Sequence, residues 1–386
     1  MKKSLFRKIT AILLILVLVF SFASCKNNAK EKVVEPEKKV AILVAPEAQY
    51  PEDYKAAQEL AAEYPEKVIV KEYSDSRVLR AGDPEIMQIS KELASDPAIG
   101  AIIYARATQF TTNAMREAES VNNSIVTLCI EPEESIETVS SIADLVFCAD
   151  WAKFAAEIVA TAKNQGAEHF VLFSINRHIT NNPMYSALNA SFKAECETQG
   201  LNYVYDNAVD PIYSSGIKGA QLYIRESIAR LYNNNKISGN NVALFSTDSS
   251  VQSTLVEAAK DRGLIYVCPS FPTAYNGLGE AFEIAKPEKI ADVKAYINAA
   301  KAVEIPQSEL SPRYSMYNFP LAAVLLRGAV HCAFDLLNGT TTAENLAEKA
   351  QARISDAADN KEFTIAPYGE LTNTFMAFCP GFETIK

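Results

Sequence analysis

The sequence predicts an α/β protein of two lobes, each a parallel sheet flanked by helices, with a hinge between them. Three observations carry this reading. Short Val- and Ile-rich runs alternate with amphipathic stretches of ten to eighteen residues almost from end to end, the pattern of parallel sheets covered by helices on both faces. About 345 residues follow a polar N-terminal segment, too many for one ordinary domain and enough for two lobes of roughly 150 each. The alternation also falls into two successive series of about five strands, which are expected to be structurally alike although no sequence repeat is visible.

In the first series the predicted strands are Val40 to Val44, Val68 to Tyr73, Gly100 to Ala105, Ser124 to Ile130 and Leu145 to Cys148. The second comprises Phe170 to Ser174, Leu201 to Tyr205, Asn241 to Ser246, Leu264 to Cys268 and a last one at Tyr314 to Tyr317. Helix starts between them are well marked. Pro51-Glu52-Asp53 puts proline and acids in a first turn, and Asp83-Pro84-Glu85 places an Asp cap before another, both favoured by the orphan amides and partial positive charge of a helix N-terminus.

The chain opens on a basic patch, Met1 to Lys8, followed by an apolar run from Ile9 to Phe22. That run is shorter than the ~20 residues a membrane-spanning helix requires, so residues 1–24 read as a cleaved signal peptide. Ala23-Ser24-Cys25 resembles a bacterial lipobox, which makes Cys25 the lipidated first residue of the mature protein; an ordinary secreted protein is the alternative. Residues 25–37 then form a flexible tether rich in Asn, Lys, Glu and Pro. The expected localisation is outside the cytoplasm, anchored to the cell membrane through the lipid.

A net charge of -10 and a pI near 5.1 argue against nucleic acid or an anionic membrane surface as partner, because both call for a basic face. The six cysteines after Cys25 show neither a C-x-x-C pair nor zinc-ligand spacing, and read as small buried hydrophobes, with a Cys129 to Cys148 disulfide as the alternative. Only three histidines exist, His169, His178 and His331, and no two share a helical face as metal ligands would. There is no G-x-S-x-G elbow, no Walker loop and no G-x-G-x-x-G after the first strand, where Ala45 to Tyr50 stands instead. No cofactor is expected.

Polar and aromatic residues do gather beyond the strand C-termini, where open α/β sheets place their ligand crevice. From the first lobe the ligand-binding candidates are Gln49, Tyr50, Arg106, Glu131 and Trp151 at the crossing; from the second they are Asn176, Asp248 and Phe271. Two facing sets suit a ligand enclosed between lobes, aromatic rings stacking on flat faces and polar groups fixing orientation. Each residue also has a plainer reading. Asp248 suits a helix N-cap, Trp151 a core anchor, Arg177-His178 a solvated loop, Glu131 and Glu133 surface acids, and Tyr50 a packing residue.

The unit Ile99 to Tyr104, helix Phe110 to Ser120 and Ser124 to Thr127, the stretch Val242 to Ser250 leading to Ala258-Ala259, and Tyr317-Asn318-Phe319-Pro320 with helix Leu321 to Leu337 together resemble class I periplasmic binding proteins, the ribose and galactose receptor group that shares its fold with LacI-like regulators. The resemblance covers Val40 to about Gly339. Glu131-Pro132 stands where the sugar receptors carry an Asp-Arg pair, which argues against a pyranose or ribose ligand and for a lipoprotein branch of uncertain ligand, closer to the nucleoside receptors. The resemblance implies lobe one at residues 38–150 plus about 318–350, lobe two at 151–317 plus about 351–386, and three crossings near Asp150, Tyr317 and Asn360. It further implies a solute-binding protein without enzymatic activity, capturing a small polar molecule such as a nucleoside, sugar or related metabolite for an ABC permease. The alternatives are a lipoprotein sensor feeding a signalling receptor and an exported α/β enzyme.

Overall fold

The structure is a computed structural model that describes residues 37–74, 85–271, 273–303, 313–342, 344–359 and 362–385. Cys25 and residues 1–24, expected to be a signal peptide, lie outside these residues. Thirteen strands among the described residues form two sheets, and all ten predicted strands are present. The first sheet contains β1 (Lys39–Val44), β2 (Val68–Glu72), β3 (Ile99–Tyr104), β4 (Val126–Ile130), β5 (Leu145–Ala149), β11 (Thr364–Pro367) and β12 (Thr374–Phe378), in the order β11-β12-β5-β4-β3-β1-β2. The second contains β6 (His169–Ile175), β7 (Asn202–Ala208), β8 (Val242–Ser246), β9 (Ile265–Tyr266), β10 (Arg313–Tyr317) and β13 (Phe382–Thr384), in the order β13-β10-β9-β8-β6-β7.

The two halves are alike in topology. In each, the first strand pairs on both sides, with the second and with the third, and the order then runs outward; all of these pairings are parallel. This doubly wound order has one switch point per sheet, between β1 and β3 and between β6 and β8, and crevices open there at the strand C-termini. Runs such as IGAIIY in β3 and VALFS in β8 are buried along their whole length, as strands covered on both faces must be. Helices Pro51–Glu63, Glu85–Ser95 and Thr111–Val121 serve the first sheet, and Pro183–Gln199, Gly216–Asn233 and Gln252–Arg262 the second. All six cysteines among the described residues are buried and none is in a disulfide; Cys129 on β4 hydrogen-bonds the Met115 sulfur at 3.5 Å.

The tail differs from the expected division. Its strands β11 and β12 extend the first sheet, β12 running parallel to β5, and helix Leu346–Ala358 packs on helix Leu321–Leu337 of the same lobe. Only β13 reaches the second sheet, antiparallel to β10. Asn360 lies outside the described residues; the third crossing falls instead between Phe378 and Phe382. The physical reason is an open edge: β5 needs a neighbour, and the buried Phe375 and Ala377 fill the core beside Phe147, whose ring lies 6.1 Å from that of Phe375.

The three crossings run side by side. Asp150 N donates to Ala377 O at 2.8 Å, and Asn318 N to Gly381 O at 3.2 Å. Gly381 has φ 138°, and a Cβ there would stand 2.2 Å from Asn318 Oδ1, so only glycine lets the second and third crossings touch. Phe154, Tyr317, Phe378 and Phe382 form an aromatic cluster across them, with centroid separations of 4.9 to 5.4 Å, and Tyr317 OH donates to Cys379 O at 2.8 Å.

Candidate functional site

The cleft is built from the loops that leave the strands at both switch points. After β1 the chain turns at Pro46, whose carbonyl accepts from Gln49 N at 2.9 Å and Tyr50 N at 3.2 Å. That turn sets buried Gln49 and half-buried Tyr50 at the mouth of helix Pro51–Glu63. After β3 comes Arg106, 5% exposed. Its guanidinium lies 4.4 Å from the Tyr50 ring and 4.1 Å from the Phe271 ring, and donates to Asp53 Oδ2 at 3.1 Å. Phe271 follows β9 in the second lobe, so this cation sits between aromatic faces from both lobes. Desolvation opposes its charge, but Asp53, Tyr50 and Glu131 outweigh that and hold its pKa above the usual arginine value.

Glu131 follows β4 with φ 50°, a left-handed conformation that non-glycine residues seldom adopt. It turns the carboxylate back under the first crossing, where Oε1 accepts from Ala149 N and Oε2 from Trp151 Nε1 at 3.2 Å. Glu131 is therefore not a surface acid. Burial pushes its carboxyl up to about 7 against the pull of Arg106 and those hydrogen bonds. Trp151 is buried, with its ring 5.8 Å from Phe271, 6.3 Å from Phe154 and 6.4 Å from Tyr185, and so joins the hinge to the cleft. It also lines a separate, mainly apolar cavity with Ile136, Met184, Tyr368 and Met376.

In the second lobe, helix Asn176–Asn181 begins directly after β6. Asn176 itself is exposed and is not among the residues lining the cleft cavity; its neighbours Arg177 and His178 line it instead, because the first helical turn rotates Asn176 away. Arg177 holds Asp210 through Nε at 2.9 Å. His178 Nδ1 lies 2.9 Å from Thr247 Oγ1, which lies 2.7 Å from Ser174 Oγ, and its ring stacks on Tyr185 at 4.5 Å. Burial, then the Arg177 charge, lowers the His178 pKa to about 3, so the imidazole is neutral at physiological pH. Asp248 does cap the turn after β8, Oδ1 accepting from Ser250 N at 2.9 Å, and it also faces the cavity.

The structure thus brings Gln49, Tyr50 and Asp248 onto one narrow interlobe cavity, together with Glu133, Arg177, His178, Tyr185 and Thr247. Arg106, Glu131, Trp151 and Phe271 form the layer packed around it. Tyr185 and the lining role of Glu133 were not read from the sequence. Tyr185 had a usable signal, since Asn182-Pro183 opens helix Pro183–Gln199 and the Asn182 side chain accepts from Met184 N and Tyr185 N. Glu52 was missed as well: its carboxylate accepts from Thr273 Oγ1 of the second lobe at 2.6 Å and from Ala323 N at 3.1 Å. Burial pushes that carboxyl up to about 7.

Among solved structures the chain is similar to a Clostridium difficile 630 protein provisionally described as a transcriptional regulator, at TM-score 0.65 and 16% identity, covering 90% of this chain and 99% of that one. It is similar to an ABC transporter solute-binding protein from Clostridium phytofermentas with bound L-rhamnose, at TM-score 0.54 and 11% identity over 90% and 95% of the two chains. A Burkholderia multivorans ABC transporter solute-binding protein gives TM-score 0.51 and 13% identity over 82% and 96%. Identities this low establish the fold alone: the periplasmic-binding-protein type I architecture, two lobes with predominantly parallel sheets. Two uncharacterised proteins of Treponema pallidum (strain Nichols) match at 27% and 26% identity over 31% and 34% of this chain. The chain spans 53% and 59% of the length of these curated relatives. A family model described as "Protein of unknown function (DUF3798)" matches residues 38–313, nearly the whole of both lobes as far as β10, and the chain belongs to that family.

Proposed function

We propose that this protein is an exported, lipid-anchored receptor that captures a small polar solute between its lobes and delivers it to an ABC-type permease. The observation that carries the reading is the Arg106 guanidinium stacked on Tyr50 of one lobe and Phe271 of the other, beside a cavity lined from both lobes. Such a contact is made only when the lobes meet, and hinge closure about adjacent crossings is the established way for this architecture to enclose a ligand. Solute-binding proteins of the same fold, described with bound L-rhamnose or D-arabinose, support the reading. Binding and release require no covalent step, so the cleft needs neither a nucleophile nor a cofactor.

A thermal-shift and titration panel of sugars, nucleosides, amino acids and amines against the purified protein tests the receptor reading. A ligand that binds only the closed form raises the melting midpoint, and Trp151, the only tryptophan, changes its fluorescence as Phe271 and Tyr185 settle on it. Binding that leaves Trp151 unmoved and survives Phe271→Ala would remove the cleft from the reading. Anchoring is tested by membrane fractionation: Cys25→Ala should release the protein to the soluble exported fraction. Loss of solute uptake in a deletion strain is the outcome expected of a transport receptor; unchanged uptake with an altered transcriptional response would favour a sensor.

A further inference from the structure

The charges around the cavity do not balance. Two arginines approach it, and each is already held by its own carboxylate, Arg106 by Asp53 at 3.1 Å and Arg177 by Asp210 at 2.9 Å. Both faces of Arg106 are covered by rings, and His178 is neutral because burial and Arg177 keep the proton off it. The cation that lines the cavity, Arg177, spends Nε and Nη2 on Asp210, which leaves little positive charge in the wall to meet a phosphate or carboxylate. On the acid side, Glu133 and Asp248 both line the cavity. Glu133 has no ion-pair partner among the described residues, and burial raises its pKa, with Arg177, Arg106 and the Gln109 amide pulling the other way. A half-buried carboxylate that has only the field of Arg177 and Arg106, each already paired with an aspartate, is costly to hold ionised. An anionic ligand would add to that cost, and a neutral polyol would leave it in place. Two aromatic rings, Tyr50 and Tyr185, line the same cavity and are suited to the apolar or cationic face of a ligand.

Resting on the receptor reading, we propose that the ligand of this cleft is a compact organic cation, an ammonium- or amidinium-bearing molecule whose charge lies against Glu133 and whose apolar surface lies on Tyr50 and Tyr185.

The test is isothermal titration of the purified protein with probes that differ in charge at nearly constant shape: D-glucosamine, D-glucose and D-glucuronate in one series, and choline with its uncharged isostere 3,3-dimethyl-1-butanol in the other. The cation of at least one series should bind about tenfold or more tightly than its neutral counterpart, equivalent to ~1.4 kcal/mol of discrimination, and D-glucuronate should not bind. Raising sodium chloride from about 20 to about 300 mM should weaken cation binding in the unmodified protein, because the Debye length shortens several-fold. Glu133→Gln should erase the preference while circular dichroism stays unchanged. Neutral or anionic probes that bind as well as the cations would overturn the proposal. So would silence of every cationic probe at millimolar concentration, or a preference that survives both salt and Glu133→Gln. A neutral ligand whose affinity falls in Phe271→Ala would overturn the cation assignment and keep the cleft, whereas binding indifferent to Phe271→Ala would overturn the cleft itself.

Discussion

Each lobe places one Arg–Asp pair beside the cleft, and the two pairs sit in different surroundings. In the first lobe Arg106 and Asp53 are both almost fully buried, with side chains 6% and 5% exposed, and the guanidinium is enclosed by Tyr50 and Phe271. In the second lobe Arg177 remains 26% exposed while Asp210 is buried. The first pair is thus a structural post where the lobes meet, and the second is a wall of the cavity that water still reaches. Burial raises the cost of removing one partner much more than it raises the worth of the pair, so the two pairs should respond very differently to the same substitution.

The largest effect should come from Arg106→Ala, which strands Asp53 and leaves Glu131 without its nearest cation. The expected destabilisation is about 3–5 kcal/mol, read from denaturant unfolding; a loss below ~1 kcal/mol would mean that the lobes are normally apart and Arg106 is hydrated.

The next contrast is with pH, because the two sides of the cleft titrate in opposite senses. Glu52 has a folded pKa raised to about 7 by burial, so its contribution to stability is present below its ordinary value of 4.5 and is lost as pH rises through about 7. At 1.36 kcal/mol per pKa unit the full span is ~3 kcal/mol. His178, lowered to about 3 by burial and Arg177, acts in reverse: its contribution is present above 6.5 and is lost as pH falls. The melting midpoint of the unmodified protein, relative to Glu52→Gln, should therefore fall between pH 5 and pH 8, and a flat difference would place Glu52 in solvent.

Phe271→Ala should cost the closed form about 2 kcal/mol, the scale of a desolvated cation–π contact. Small-angle scattering would report this as a larger radius of gyration, and an unchanged radius would mean that other contacts hold the lobes together. The smallest effect is expected of Arg177→Ala. Because loss of the partly hydrated Arg177 opens Asp210 to the water of the cavity, stability should drop by only about 1 kcal/mol, while ligand affinity changes more than stability does. A fall as large as that of Arg106→Ala would erase the distinction between the two pairs.

Several of these features were legible in the chain itself. Strands such as VALFS and IGAIIY are apolar throughout because helices cover both faces, and that composition announces a parallel sheet without reference to anything distant in sequence. Tyr50, Arg106 and Asp248 follow strands at the switch points, so strand order alone brings them to the crevice. Glu131 was legible as a position but not as an environment: its left-handed backbone and its bonds to Ala149 and Trp151 depend on how β4 and β5 lie side by side. Asn176 failed by one helical position, since a small rotation decides which of Asn176, Arg177 and His178 faces the cavity. The tail failed for another reason. Strands β11 and β12 are short and carry no strong periodicity, and what recruits them is the unpaired edge of β5, which no local pattern reveals.

By itself the sequence determined the class of the fold, the number of strands in each series and the loops that could carry a site, because periodicity and capping act over a few residues. Only the tertiary structure decided which carboxylates lose their water, which arginine is enclosed by rings from both lobes, and which sheet takes the tail. Those outcomes depend on burial and edge pairing between segments as far apart as Glu52 and Thr273, and solvation is a property of the packed molecule rather than of any stretch of chain.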